Sequence, residues 1–283
     1  MSMTYAKGFK TLSKSSSKLV NPNQKNGVFL NFWSPGYSVI DKKIAPSGRE
    51  IIKKRFVPTT SFEAALTILN RKYGPEDFLK FKEDASPGHV SVVVSDEYLS
   101  VGPLVRSLDE VGIHTQHKMH YALNYESDIL SFERAPEKTI DFYTLNSSDI
   151  REAIKEFKSS STVYSLLGGR LYGSDGESCA TTCFIALEAG GIQELFPISQ
   201  GLMAKPGILT PRLLQTYSEE ARIVEQERFP NLAEISDEAL QERKLHAQNV
   251  LKLSQQAIEE EDLAHGNELP DDKNNSSSLG GPK

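Results

Sequence analysis

The sequence predicts an α+β fold, an antiparallel sheet packed on helices with a helical C-terminal extension, and three observations predict it. Val28-Phe29-Leu30-Asn31-Phe32-Trp33 reads as a buried strand closed by Ser34-Pro35-Gly36. His89 to Val94 runs through Ser95-Asp96-Glu97 into Tyr98-Leu99-Ser100-Val101, the pattern of a hairpin and hence of antiparallel pairing. Around these strands stand helix starts with their own cap residues, and a long charged helix follows them.

Element by element, residues 1–25, with Lys14-Ser15-Ser16-Ser17-Lys18 and Asn21-Pro22-Asn23-Gln24, read as a flexible N-terminal segment. Thr60-Ser61-Phe62-Glu63 has the capping-box pattern and opens a helix with Phe62, Leu66 and Leu69 at helical spacing. Extended stretches are expected at Asp128 to Phe132 and at Thr139 to Leu145, and Ser147-Ser148-Asp149 caps a helix through Phe157. The glycine-rich run Gly168 to Gly176 precedes a helix that begins at Cys179 and stops at Gly190-Gly191. Thr210-Pro211 starts another helix, with proline at its first position. From Ser236 to Asp262 a charged helix of roughly 40 Å carries Leu240, Ala247, Leu251 and Ile258 on one stripe. It either packs on the domain or serves as an arm for a protein partner. No internal repeat is present. The tail from His265 to Lys283 reads as disordered.

Composition narrows the classes of function. The chain of 283 residues, 38% hydrophobic and 25% charged, suffices for a sizeable core. A net charge of −6 and a pI near 5.6 argue against a general nucleic-acid binder, whose footprint is basic. No apolar stretch approaches the ~20 residues needed to span a bilayer, so no integral membrane segment is expected. Met1 to Leu19 lacks the apolar core of a Sec signal peptide. The expected location is the cytoplasm of the producing cell, or outside it after export without a Sec signal. The only two cysteines, Cys179 and Cys183, lie one helical turn apart, which excludes a disulfide scaffold and points to a reducing compartment.

Two short strings carry the chemistry. In Glu177-Ser178-Cys179, Ser178 is a good N-cap and places Cys179 in the first helical turn, where unpaired backbone N–H groups and the helix dipole favour a thiolate and can later hold an oxyanion. Cys183 lies among Phe184, Ile185 and Leu187 and reads as a small core residue. In Gly88-His89-Val90-Ser91, a histidine heads an apolar strand, where rigid backbone can hold a general base. Taken alone, either residue reads more readily as structural than as catalytic. His114, His117 and His120 recur every third residue, a spacing that fans the rings apart with no cysteine to complete a set, so no metal is expected. Gly168 to Gly176 lacks the Gly-Lys-Ser/Thr ending of a phosphate loop and reads as a lid or linker. No cofactor is expected.

The ordered set of strings resembles a family. Gly88-His89-Val90-Ser91, Tyr98-Leu99-Ser100 and Pro103 resemble the strand pair of circularly permuted papain-like hydrolases, relatives of NlpC-type cell-wall peptidases and of the lecithin:retinol acyltransferase-like group. The likeness continues through Ser127-Asp128-Ile129, Arg134-Ala135-Pro136, Tyr143-Thr144-Leu145, Tyr164-Ser165-Leu166-Leu167 and Ser178-Cys179-Ala180-Thr181-Thr182. It covers roughly residues 27 to 215. The resemblance implies a papain-like, permuted NlpC-like domain over 26–215 with an insertion at 38–86, a helical extension over 216–264 and a disordered tail over 265–283. It implies Cys179 as nucleophile, His89 as base and Asp128 as the acid that orients the imidazole, with Ser100 and Glu133 as alternatives to Asp128. Ser178 stands where the family commonly has Asn, and the loop Gly168 to Glu177 is longer than usual, so the substrate is not inherited. The implied activity is cleavage of an amide in a peptide, an isopeptide or a peptidoglycan stem. Two other readings stand beside it: an acyl or thioester transferase or lipid hydrolase using the same dyad, and a catalytically silent module that binds a protein through the C-terminal helix. Glu259-Glu260-Glu261-Asp262 ahead of a polar C-terminus also resembles the translocation signals of bacterial type IV secreted effectors.

Overall fold

Alternation along four strands separates a sheet into one apolar face and one that carries polar and aromatic groups. The structure, a computed structural model, describes residues 19–20, 27–44, 50–81, 85–103, 117–165, 176–198 and 209–266. Its central sheet joins β1 (Val28–Trp33), β5 (His89–Val94), β6 (Glu97–Leu99) and β9 (Lys138–Phe142) in the order β6-β5-β1-β9, all antiparallel. With side chains alternating across the pleat, Val28, Leu30 and Phe32 share a face with Val90, Val92, Val94, Leu99, Ile140 and Phe142. That face packs on α3 (Ser147–Ser159) and α4 (Cys179–Ala189) through Ile150, Ile154, Phe157, Ala180, Cys183 and Leu187. The opposite face presents Asn31, Trp33, His89, Ser91, Tyr98 and Thr139. It is covered by α2 (Tyr125–Phe132) and α7 (Leu232–Gly266), whose Tyr125, Ile129 and Ala247 pack with Trp33 and Tyr98.

A second sheet, β11 (Gly176–Glu177), β10 (Val163–Tyr164), β8 (His117–Tyr121) and β7 (Val101–Pro103), is antiparallel except for the parallel β10–β11 pair. The expected hairpin is present, but its return strand divides: β6 ends at Leu99 and β7 begins at Val101 in the second sheet, with Ser100 at the crossing. Between β1 and β5 the chain forms a two-stranded ribbon, β2 (Gly36–Ile44) with β3 (Glu50–Pro58), then α1 (Phe62–Phe81) and β4 (Ala85–Ser86), which pairs with the base of β2.

Several local expectations are corrected. The helix over 62–81 is capped one residue later than the Thr60–Glu63 box: the Ser61 hydroxyl accepts the Ala64 N–H at 3.1 Å, and the Ser61 carbonyl accepts that of Ala65. Asn146, not Ser147 to Asp149, caps α3 by accepting from Ser148 and Asp149. Asp128 to Phe132 is helical, and the strand expected over Thr139 to Leu145 ends at Phe142. Cys179 to Ala189 and the Thr210-capped helix α6 (Pro211–Arg228) form as expected. Within the N-terminal segment, Leu19 packs against the core and the Val20 N–H donates to Thr144 O at 2.8 Å. The rest of residues 1–25, most of the Gly168–Gly176 loop, His114 and residues 267–283 lie outside the described residues.

The last two helices are tied to the sheet by buried charge. Arg222 on α6 donates to Asp141 of β9 at 3.1 Å and to Glu225 at 2.5 Å. Glu225 accepts from the Tyr143 and Thr144 backbone and the Thr144 hydroxyl, while Ser236 of α7 donates to Asp141 at 2.9 Å. From there α7 runs along α2, with the Arg243 guanidinium over the Phe29 and Tyr125 rings and His246 paired with Glu126 at 2.7 Å. Beyond Leu251 its described side chains turn outward, and Leu253 is 66% exposed. Among the described residues, no helix is long and apolar enough to cross a membrane.

Candidate active site

The site is built where the edge of β5 opens. Pairing with β6 stops at Val92–Leu99, so the first residues of β5 lie past the end of their hairpin partner. Helix α4 takes that place: the Cys183 thiol donates to Val90 O at 3.6 Å. One turn earlier on the same helix stands Cys179, and one residue earlier on the strand stands His89. Cys183 therefore sets the register of the helix against the strand, and burial pushes its thiol well up from the usual range. Cys179 itself exposes 4% of its surface.

The start of α4 is held by a reciprocal cap. The Ser178 hydroxyl accepts the Thr181 N–H at 3.2 Å, and the Thr181 hydroxyl accepts the Ser178 N–H at 2.7 Å. This occupies the third helical N–H, while those of Cys179 and Ala180, the first and second, have no acceptor within the helix. Gly176, two residues before the cap, lies so close to the chain at β10 that a Cβ there would stand 2.5 Å from Ser165 Cβ. Pairing of β11 with β10 thus delivers Cys179 to the end of the central sheet.

His89 begins β5 opposite Trp33. Gly88 before it has φ +83°, and a Cβ there would approach Trp33 O to 2.9 Å, so only glycine lets the strand start in this position. The imidazole packs against the rings of Trp33 and Phe132, with centroids at 5.5 and 5.0 Å, and those two rings stack on each other. Its Nε2 is 2.9 Å from Ser100 Oγ and 3.3 Å from Asp128 Oδ2. Burial works against charge on the ring. Hydrogen bonding and charge from Asp128 and Cys179 together outweigh burial and push the imidazole up to about 10 from its ordinary 6.5. Desolvation opposes the Asp128 carboxylate too, yet His89, Tyr98 and Ser100 hold it below the usual carboxylate range.

The structure thus brings Cys179, His89 and Asp128 together, and adds Ser100 beside Asp128 on the same ring nitrogen. Glu133 does not join them: it is the exposed left-handed C-cap of α2. His117 and His120 lie on β8, and among the described residues no group of three or more His, Cys, Asp or Glu side chains is placed to hold a metal ion. Asp128 reaches the ring from the apolar face of a helix, in line with Tyr125, Ile129 and Phe132 at helical spacing. Sequence reasoning missed Tyr98 as a site residue, although its hydroxyl donates a short hydrogen bond to Asp128 Oδ2. The signal was available: on a strand, Tyr98 shares the face of Ser100. Comparison with models of known protein families, with curated proteins and with solved structures found no match.

Proposed function

We propose that this protein is a papain-like cysteine hydrolase that cleaves an amide, with Cys179 as nucleophile, His89 as general base and acid, and Asp128 as the group that orients His89. The observation that carries the reading is the placement of one imidazole between a carboxylate and a cysteine at a helix start. With Nε2 committed to Ser100 and Asp128, Nδ1 is the ring nitrogen left for the thiol. At neutral pH the raised ring is an imidazolium, which carries the proton a leaving group needs. The order of strand histidine and later helix cysteine, and the papain-like resemblance of the surrounding strings, support the same reading.

In this mechanism the Cys179 sulfur attacks the substrate carbonyl carbon, and the carbonyl electron pair moves onto oxygen. The N–H groups of Cys179 and Ala180, which have no acceptor within the helix, are the donors this reading assigns to that oxyanion. His89 gives its proton to the departing amine as the C–N bond breaks, leaving an acyl-thioester on Cys179. Water then loses a proton to His89, adds to the thioester carbonyl and releases the acid and the thiol. The test is labelling with iodoacetamide across pH, with the modified residue identified by peptide mapping, followed by product analysis on amide and ester panels. The reading expects selective modification of Cys179, loss of its pH dependence in His89→Ala, and turnover of an amide. Labelling indifferent to His89→Ala would overturn it in favour of a silent binding module, and turnover of esters or lipids alone would reassign the substrate to acyl chemistry.

A further inference from the structure

The polar face of the central sheet carries a line of buried groups that ends at the site. Asn31 on β1 stands directly opposite Ser91 on β5 and Thr139 on β9. The Thr139 hydroxyl donates to Asn31 Oδ1 at 3.1 Å, and Asn31 Nδ2 donates to Ser91 Oγ at 3.2 Å. Ser91 neighbours Tyr98, and the Tyr98 hydroxyl donates to Asp128 Oδ2, the oxygen that faces His89 Nε2. Asn31, Ser91, Tyr98 and Asp128 are all buried.

The direction of this line is fixed by chemistry. An amide nitrogen only donates, so the Ser91 oxygen receives from Asn31 and its own proton is free to point at Tyr98. At the other end of the line the Tyr98 hydroxyl gives its proton to the Asp128 carboxylate, which can only accept. Burial and the Asp128 charge push the Tyr98 phenol well above its ordinary range, so it keeps that proton throughout the working pH range. A hydroxyl in this position would otherwise rotate. Here the bond to Asp128 fixes it.

We infer that Asn31, Ser91 and Tyr98 are positioning residues: the Ser91 hydroxyl donates to Tyr98 and completes a one-way hydrogen-bond relay through the central sheet that holds Asp128 ionised and aimed at His89. The inference rests on the proposed roles of Cys179, His89 and Asp128. It assigns a task to three buried polar side chains that a core would otherwise exclude, since each buried hydroxyl or amide is tolerated only when bonded. Chains of this kind polarise one another, and removal of one member is felt at the end.

The experiment is the pH profile of Cys179 alkylation in the full chain, compared among the wild type, Tyr98→Phe, Ser91→Ala, Asp128→Asn and His89→Ala. Thermal unfolding is measured on each. Tyr98→Phe keeps the ring that packs on Trp33 and removes only the donor. The acid limb of its profile is expected to move to higher pH by about one unit, a roughly tenfold loss of rate on that limb. Ser91→Ala, a smaller change less disruptive to folding, is expected to move it the same way by less. A merely structural role would lower the melting temperature and leave the profile in place. If His89→Ala and Asp128→Asn alter the profile while Tyr98→Phe and Ser91→Ala superpose on wild type, the relay is overturned and the thiol chemistry stands. If His89→Ala also superposes on wild type, the hydrolase reading itself fails, and the relay with it.

Discussion

Two cysteines one turn apart on α4 have different surroundings, and their neighbours set them apart. Cys183 is fully buried, bonded to Val90 O, and its thiol is pushed up by burial. Iodoacetamide is therefore expected to modify Cys179 alone until the chain is unfolded, which peptide mapping before and after denaturant will check. Cys183→Ala is expected to cost about 1 kcal/mol, from one lost hydrogen bond and a small void, while Cys179 labelling persists. At Gly88, alanine meets both a left-handed φ and a close Trp33 carbonyl. Gly88→Ala is expected to destabilise by about 1–3 kcal/mol and to slow Cys179 labelling, since His89 follows directly on the distorted backbone. The placement of Cys179 at a helix start and of His89 at a strand start was legible in the sequence, because caps and strand patterns are local facts. The strand face of Tyr98 was legible too, but its partner was not, because its hydrogen bond to Asp128 joins groups from different elements.

At the scale of elements, the misreading of Asp128 to Phe132 is instructive. The stretch Ser127-Asp128-Ile129-Leu130-Ser131-Phe132 fits a strand by propensity as well as a helix. Asn124, which accepts from Ser127 N, decides for the helix by capping it. Helical geometry then puts Asp128 on the same side as Tyr125, Ile129 and Phe132, the side turned to the sheet. The C-terminal helix backs this arrangement. Ala247 is 1% exposed against Trp33, Tyr98, Tyr125 and Ile129, so Ala247→Asp would bury an unpaired carboxylate. Its expected effect is detachment of α7 from α2, read as a change in the emission of Trp33, the only tryptophan in the chain. The Arg222 node is the second tie. Arg222→Met leaves Asp141 and Glu225 buried without their cation and is expected to cost about 3–5 kcal/mol in urea unfolding.

For the whole molecule, the site makes stability depend on pH. Folding raises His89 from 6.5 to about 10, so its contribution is complete below pH 6.5 and is lost as pH rises toward 10. Asp128 is shifted the other way, and its contribution is present above its ordinary 3.8 and lost as pH falls through its lower folded value. Denaturant midpoints are expected to fall on both sides, and His89→Ala is expected to flatten the alkaline side. The sequence by itself determined the α+β class, the helix that begins at Cys179, the strand that begins at His89 and the apolar alternation that makes one face of the sheet a core. These depend on caps, periodicity and neighbours within a few residues. Only the tertiary structure decided that β6 stops short and leaves β5 open to α4, that Asp128 arrives from a helix, and that Asn31, Ser91 and Tyr98 line up behind it. Each of those turns on which elements meet in space, and register between distant strands and helices is set by packing of the whole chain rather than by local pattern.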